Sequence, residues 1–213
     1  MNKLDINDAI EREDEHHIER HNHFMEVKKT KKIDLLFVGD SITRRWLESP
    51  QMWNYFFARH NPENFGVGSD TIQNLKWRLL NGEIDDLNPK IVVLLIGTNN
   101  LPEYTDDEIC EGISGIVEIL KNSIPDTKII LMGLLPRAAD DKCDNYIKTI
   151  QQINKKLLRL SKDKNLMFLD IGEGYMDSNN SVKRDLMPDG IHLIEPGYKI
   201  WGEIIQPIID KNI

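Results

Sequence analysis

Four short groups of polar residues carry the types that acyl transfer needs. Gly39-Asp40-Ser41-Ile42-Thr43, Gly66-Val67-Gly68-Ser69-Asp70 and Gly97-Thr98-Asn99-Asn100 each follow an apolar run, and Asp189-Gly190-Ile191-His192 precedes the last helical pattern. A serine hydroxyl is a poor nucleophile and needs a base. His192 can serve, because a neutral imidazole accepts a proton near pH 7. Asp189, three residues earlier, can hold the second ring nitrogen. An oxyanion needs donors, and the side-chain amide of Asn99 or the backbone N–H groups around Gly66, Gly68 and Ser69 would supply them.

Each group also has a plainer reading. Ser41 sits where an N-cap serine is common, and the G-x-S-x-G nucleophile elbow is absent. Gly39 suits a sharp strand-to-helix turn because glycine tolerates positive φ. Asp189-Gly190 can be a turn and His192 a helix cap. Asn99 can close an Asx-turn, and Gly66 to Asp70 can be an ordinary loop. Taken singly, none of these residues decides between the two readings.

The elements that would position them are legible as hydrophobic runs. Ile33 to Val38 ends at Gly39, Lys90 to Ile96 ends at Gly97, Lys128 to Met132 ends at Gly133, and Asn165 to Leu169 ends at Asp170. Glu63 to Val67 is a weaker fifth run. Runs apolar on both faces suit strands of a covered parallel sheet. Helical spacing lies between them: Ile72, Leu75 and Leu79 within Thr71 to Leu80; Ile109, Ile113, Ile116, Val117 and Leu120 within Asp106 to Asn122. Ile147, Ile150, Ile153, Leu157 and Leu160 lie within Asp144 to Lys162, and Trp201, Ile204, Ile205 and Ile208 within Pro196 to Ile209. Alternation of strands and helices predicts an α/β doubly wound sheet. In such a sheet, ligands bind beyond the carboxyl ends of the strands, which is where three of the four polar groups fall.

Bulk properties exclude several functions. With 213 residues, 40% hydrophobic and 29% charged, the chain has an ordinary globular balance. A net charge of −8 argues against nucleic-acid and anionic-membrane partners. No apolar run is long enough to span a bilayer. Without a secretory h-region at the N-terminus, a cytoplasmic location is expected, with Cys110 and Cys143 as reduced structural thiols. The chain is expected to comprise a helical, charged segment over residues 1–32, packed on one domain over residues 33–213.

The four groups in this order resemble the SGNH hydrolases, also called GDSL-type esterases and lipases, over about Ile33 to Ile205. Asn64 to Asp70, Trp77-Arg78-Leu79, Asn81-Gly82-Glu83, Gly97 to Asn100 and Gly133-Leu134-Leu135-Pro136-Arg137 are most similar to the branch of the platelet-activating-factor acetylhydrolase 1B catalytic subunits. That branch also includes bacterial proteins acting on acetylated sugars. The resemblance implies a flavodoxin-like three-layer α/β/α sandwich with a five-stranded parallel sheet. It implies Ser41 as nucleophile, His192 as general base and Asp189 as its orienting acid. It implies an oxyanion hole of the Ser41 N–H, the Ser69 N–H and the Asn99 amide. Relatives usually carry Gly where this chain has Ser69, so a Cβ is added, which strains the loop if φ there is positive. The expected activity is hydrolysis of short-chain, acetyl-type esters of a carbohydrate or lipid, with no cofactor and no metal. A homodimer is expected on the branch resemblance alone.

Asp40, Gly68 and Arg137 are candidates for substrate contact, although Arg44, Arg45 and Arg137 read first as solvated surface charge. No long apolar insertion suggests a lipase lid. His16, His17, His21 and His23 read as a solvated helix rather than a metal site. Trp46, Trp53 and Trp77 read as packing residues, and Lys28 to Lys32 as a solvated connector. Lysophospholipase or thioesterase activity, and a non-catalytic flavodoxin-like binding module, remain alternatives. A vestigial enzyme kept as an interaction protein is a third, against which the complete set of Ser41, Asn99, Asp189 and His192 speaks.

Overall fold

A computed structural model describes residues 3–138, 145–160 and 165–213 of the chain. Five strands form one parallel sheet: β1 (Leu35–Gly39), β2 (Pro62–Gly66), β3 (Ile91–Leu95), β4 (Lys128–Met132) and β5 (Leu166–Leu169). Their spatial order is β2-β1-β3-β4-β5, the flavodoxin-like doubly wound order. Every residue of β1 and β3 is buried, as expected of central strands covered on both faces. The weak run at Glu63 to Val67 is a genuine strand, shifted by one residue to Pro62–Gly66.

The helices are α1 (Glu15–Thr30), α2 (Ser41–Arg44), α3 (Pro50–Phe57), α4 (Ile72–Arg78), α5 (Asp106–Ser123), α6 (Ile147–Leu157) and α7 (Glu195–Asn212). α3 packs on α7, and α5 packs against both α4 and α6. The predicted apolar faces of α4 and α5 are buried. Both helices start at capping boxes, Thr71 with Asn74 and Thr105 with Glu108. α4 does not continue to Leu80 as a regular helix. It passes into a π-type turn over Leu79–Glu83, where Gly82 takes φ +101°. α6 starts at Ile147, with Tyr146 as its N-cap, rather than running back through Asn145. Asp144, Lys162 and Cys143 lie outside the described residues. The half-buried thiol of Cys110 is free and is pushed up to about 11 by burial, which suits an inert structural thiol.

Two expectations about helix faces are corrected. Ile204 does not join Trp201 and Ile205 in the core but is 38% exposed, on the outer side of α7. The N-terminal histidines are not uniformly solvated. α1 starts at an Asp14 N-cap and buries Phe24, which stacks on Phe65 of β2 with centroids 4.3 Å apart. His17, His21, Phe24 and Val27 recur at helical spacing and share this inner side. His17 is therefore buried, and both His17 and His21 pack against the Trp77 ring. Lys28, expected in a solvated connector, donates to the carbonyls of Gly82 and Asp85.

The sheet order reverses between β1 and β3, because the chain runs from β1 to β2 and then crosses back. The register pairs Gly39 with Gly66 on one side and with Leu95 on the other. The carboxyl ends of these three strands are thus level, and the loops that follow them open into one crevice.

Candidate active site

The turn after β1 is set by Gly39, but not for the reason its type suggests. Its φ is not positive. A Cβ on Gly39 would lie 2.0 Å from the Leu95 carbonyl oxygen and 2.4 Å from Thr43 Oγ1, so only glycine allows β1 and β3 to approach here. Asp40 follows as the N-cap of α2 and accepts from the Ile42 N–H at 2.9 Å. That leaves Ser41, the first residue of α2, to project from the turn. Tyr198 of α7 pins the same turn by donating to the Ile42 carbonyl at 2.7 Å. Below it, Trp46, Phe57, Tyr198 and Trp201 form a buried aromatic cluster.

Ser41, His192 and Asp189 form one hydrogen-bonded chain. Ser41 Oγ lies 2.9 Å from His192 Nε2. His192 Nδ1 lies 2.7 Å from Asp189 Oδ2. The other carboxylate oxygen, Asp189 Oδ1, accepts from the backbone N–H of His192 at 2.7 Å and of Ile191 at 2.9 Å. Asp189 therefore shapes the turn and orients the ring with one carboxylate. Burial pushes this carboxyl up, but the hydrogen bonds from the His192 N–H, the His192 ring and the Ile191 N–H outweigh it, and the group sits below its ordinary value. Gly190 completes the turn at φ +74°, where a Cβ would meet the Ala138 carbonyl oxygen at 2.0 Å.

The loops after β2 and β3 are tied to each other. Asn99 Nδ2 donates to the Asp70 carbonyl at 2.8 Å, which leaves its second amide hydrogen for another acceptor. Asn100, fully buried, accepts from the Ile72 N–H at 2.9 Å and donates to Gln73 Oε1 at 2.9 Å. Ser69 has φ +65°, in the left-handed region. The added Cβ is therefore carried in a conformation that disfavours it. Among the described residues, neither the Ser41 N–H nor the Ser69 N–H has a backbone acceptor.

Beneath these loops lies a charge cluster that the residue types alone had not revealed. Arg78 is fully buried and donates through Nε to Asp70 Oδ2 at 2.7 Å, through Nη1 to Glu83, and through Nη2 to the Gly39 carbonyl at 3.3 Å. Asp70 and Glu83 are themselves fully buried. Burial pulls the guanidinium down, but Glu83 and Asp70 outweigh it and hold it above its ordinary value. His21 Nδ1 approaches Glu83 Oε1 at 2.9 Å. The spacing carried a signal: Arg78 falls three residues after Leu75, on the buried side of α4.

The three candidates for substrate contact have other structural duties. Asp40 is fully buried, with one carboxylate oxygen unpartnered among the described residues. Burial, with Asp70 as a nearby like charge, raises it to about 7. Arg137 is half-buried and donates to the Thr98 carbonyl at 2.9 Å, bracing the loop that carries Asn99. It also faces the Tyr146 ring at 5.5 Å. Reading it as freely solvated charge is thus corrected. Arg44 and Arg45 are half-exposed and pair with Glu48. Gly68 is the one of the three on the open side of its loop, near Arg44 and His16. A separate cleft of about 330 Å³ lies at the ends of β4 and β5, lined in part by Leu134, Ile147, Asn154 and Asp170. No group of three or more metal-ligating side chains occurs among the described residues. No helix among them is long and apolar enough to cross a membrane.

Comparison with known proteins places the chain in a family. The GDSL-like lipase/acylhydrolase family matches residues 37–200. The chain is 36% identical over 204 residues to platelet-activating factor acetylhydrolase IB subunit alpha2 of Rattus norvegicus, covering 93% of this chain and 87% of that one. Its fold superposes on a GDSL-like lipase from Bacteroides thetaiotaomicron with a TM-score of 0.75 at 23% identity, covering 92% of this chain and 98% of that one. It superposes on an acetylxylan esterase from Geobacillus stearothermophilus with a TM-score of 0.62 at 19% identity, covering 84% and 94%. The loops at the carboxyl ends of β1, β2 and β3 and the turn before α7 all fall within the matched span, and the chain belongs to the GDSL-like lipase/acylhydrolase family as a carboxylic ester hydrolase.

Proposed function

We propose that the chain hydrolyses short-chain esters, acetyl above all, of a carbohydrate or lipid through an acyl-enzyme on Ser41. The observation that carries this reading is the unbroken run from Ser41 Oγ to His192 Nε2 at 2.9 Å and from His192 Nδ1 to Asp189 Oδ2 at 2.7 Å. His192 takes the Ser41 proton as Oγ attacks the ester carbonyl, and then gives it to the leaving alcohol. Water repeats the cycle on the acyl-enzyme. Asp189 holds the ring and stabilises the imidazolium that forms. The N–H groups of Ser41 and Ser69 and the free amide hydrogen of Asn99 receive the oxyanion. No step calls for a metal.

The acetyl preference rests on the acetylhydrolase name of the rat relative. The carbohydrate class rests on the branch resemblance. The same resemblance is the ground for reading the protein as a homodimer. Turnover of a p-nitrophenyl ester series from acetyl to long-chain acyl, repeated on acetylated sugars, tests the substrate reading. A rate that rises with chain length would replace it with a lysophospholipase or long-chain thioesterase. Ser41→Ala is expected to remove essentially all turnover, and retention of wild-type turnover would overturn the mechanism.

A further inference from the structure

The N-terminal segment does more than cover the edge of the sheet. Ahead of α1, the chain lies across α4 and the loop after β2. The Ile10 N–H donates to the Gln73 carbonyl at 3.1 Å, Asn74 Nδ2 donates to the Ile10 carbonyl at 3.0 Å, and Ile6 is buried. This strap delivers one side chain to the oxyanion loop. Arg12 Nη1 donates to the Gly68 carbonyl at 2.6 Å and to Asp70 Oδ1 at 2.9 Å. These two acceptors flank Ser69. Arg12 is aimed by Asp14, whose carboxylate receives its Nε at 2.8 Å.

Ser69 needs such a clamp. With φ +65° it occupies a region that any residue with a Cβ resists. Left alone, a serine there would relax toward negative φ, and that rotation would turn the peptide N–H away from its present direction. Asp70 is held from the other side by Arg78 Nε at 2.7 Å, and its carbonyl by Asn99 at 2.8 Å. The Gly68 carbonyl receives Arg12 and is the contact that fixes the peptide immediately before Ser69.

We propose that Arg12 is a positioning residue for the oxyanion hole, holding the Gly68–Asp70 loop in the left-handed geometry that presents the Ser69 N–H. This rests on the reading of that N–H as an oxyanion donor. A guanidinium suits the task because its rigid plane lets Nη1 serve both acceptors of the bent loop while Nε is anchored on Asp14. A lysine ammonium, a point charge on a flexible stem, would not hold that geometry.

The test is a double-mutant cycle in the full-length chain, read as kcat and KM on p-nitrophenyl acetate. Each variant is assayed well below its own unfolding midpoint. Arg12→Ala is expected to lower kcat by about tenfold, less than outright loss of an oxyanion donor, with KM changed less than about threefold. Glycine accepts positive φ without strain. So in a Ser69→Gly background the same Arg12→Ala change is expected to lower kcat by less than about threefold. A merely structural strap would not distinguish serine from glycine at position 69. An equal loss in both backgrounds, or no loss in the serine background, overturns the inference. If Arg12→Ala does not fold, Arg12→Gln is judged by the same two comparisons. Failure of the underlying mechanism is told apart by Ser41→Ala: turnover that survives that change removes the mechanism itself. Turnover that needs Ser41 but ignores Arg12 removes only the clamp.

Discussion

Asp189 grips His192 twice, at the ring through Oδ2 on Nδ1 and at the backbone through Oδ1 on the N–H, both at 2.7 Å. The two residues are three apart in the chain, so their relative placement is set by one turn rather than by tertiary packing. That turn depends on Gly190 at φ +74° and closes against Ala138.

The two contacts separate in a conservative variant. Asp189→Asn can still accept the backbone N–H bonds through Oδ1, so the turn should survive. Its amide nitrogen would face Nδ1 as a donor and select the wrong imidazole tautomer. An Asp→Asn change in this role drops kcat by about 10⁴ in a buried triad. Asp189 is half-exposed here, and water can partly substitute, so a loss nearer 10²- to 10³-fold is expected. Circular dichroism should be unchanged, and kcat on p-nitrophenyl acetate gives the outcome.

Asn99 should matter to rate more than to binding. Its amide bridges to the Asp70 carbonyl and keeps one hydrogen free. Asn99→Ala removes both the proposed oxyanion donor and the tie between the two loops. A loss of about 10²- to 10³-fold in kcat is expected, with KM little altered. A change confined to KM would place Asn99 among ground-state contacts instead.

Asp40 gives a pH signature in stability. Its carboxyl is raised to about 7 when folded, against an unfolded value near 3.8. Between those values the folded state holds a proton that the unfolded state has lost, so stability must fall as pH rises through that window. At about 1.4 kcal/mol per tenfold, the loss from this one group is on the order of 4 kcal/mol. Asp40→Asn keeps the N-cap and removes the titration. Urea unfolding at pH 5 and pH 8 should therefore show a larger decline for the wild type than for Asp40→Asn. Parallel declines would show that Asp40 does not titrate in this range.

What the residue types revealed, and what they hid, divides along one physical line. Apolar strands announce themselves, because covered strands must be apolar on both faces; β1 and β3 were legible for that reason. Ser41, Asn99, Asp189 and His192 were legible through their order along the chain. Gly39 was legible as a glycine, but the Leu95 carbonyl that requires it is supplied by a strand more than 50 residues away. His17 and Arg137 were read as solvent-facing, because charge alone predicts exposure, and Asp70, Arg78 and Glu83 were legible only as parts of motifs. Arg78, Asp70, Glu83 and His17 escape that rule only by neutralising or packing against one another, which is a property of the assembled fold. Helical spacing from Leu75 to Arg78 and from His17 to Phe24 held the missing signal.

Arg78 is the strongest test of that buried charge. It is the only described cation bonded to both Asp70 and Glu83, and it also donates to the Gly39 carbonyl at the base of the turn that carries Ser41. Removing it in Arg78→Met leaves two buried carboxylates without that cation, while the methionine fills much of the same volume. Breaking a buried pair in this way costs about 3–5 kcal/mol. Arg78→Lys should recover only part of it, since an ammonium cannot reach three acceptors on different segments. Urea midpoints of the wild type and the two variants decide it. Arg12 still pairs with Asp70 and His21 still lies against Glu83 in either variant, so a midpoint for Arg78→Met equal to that of the wild type would mean that those partners suffice without the buried guanidinium.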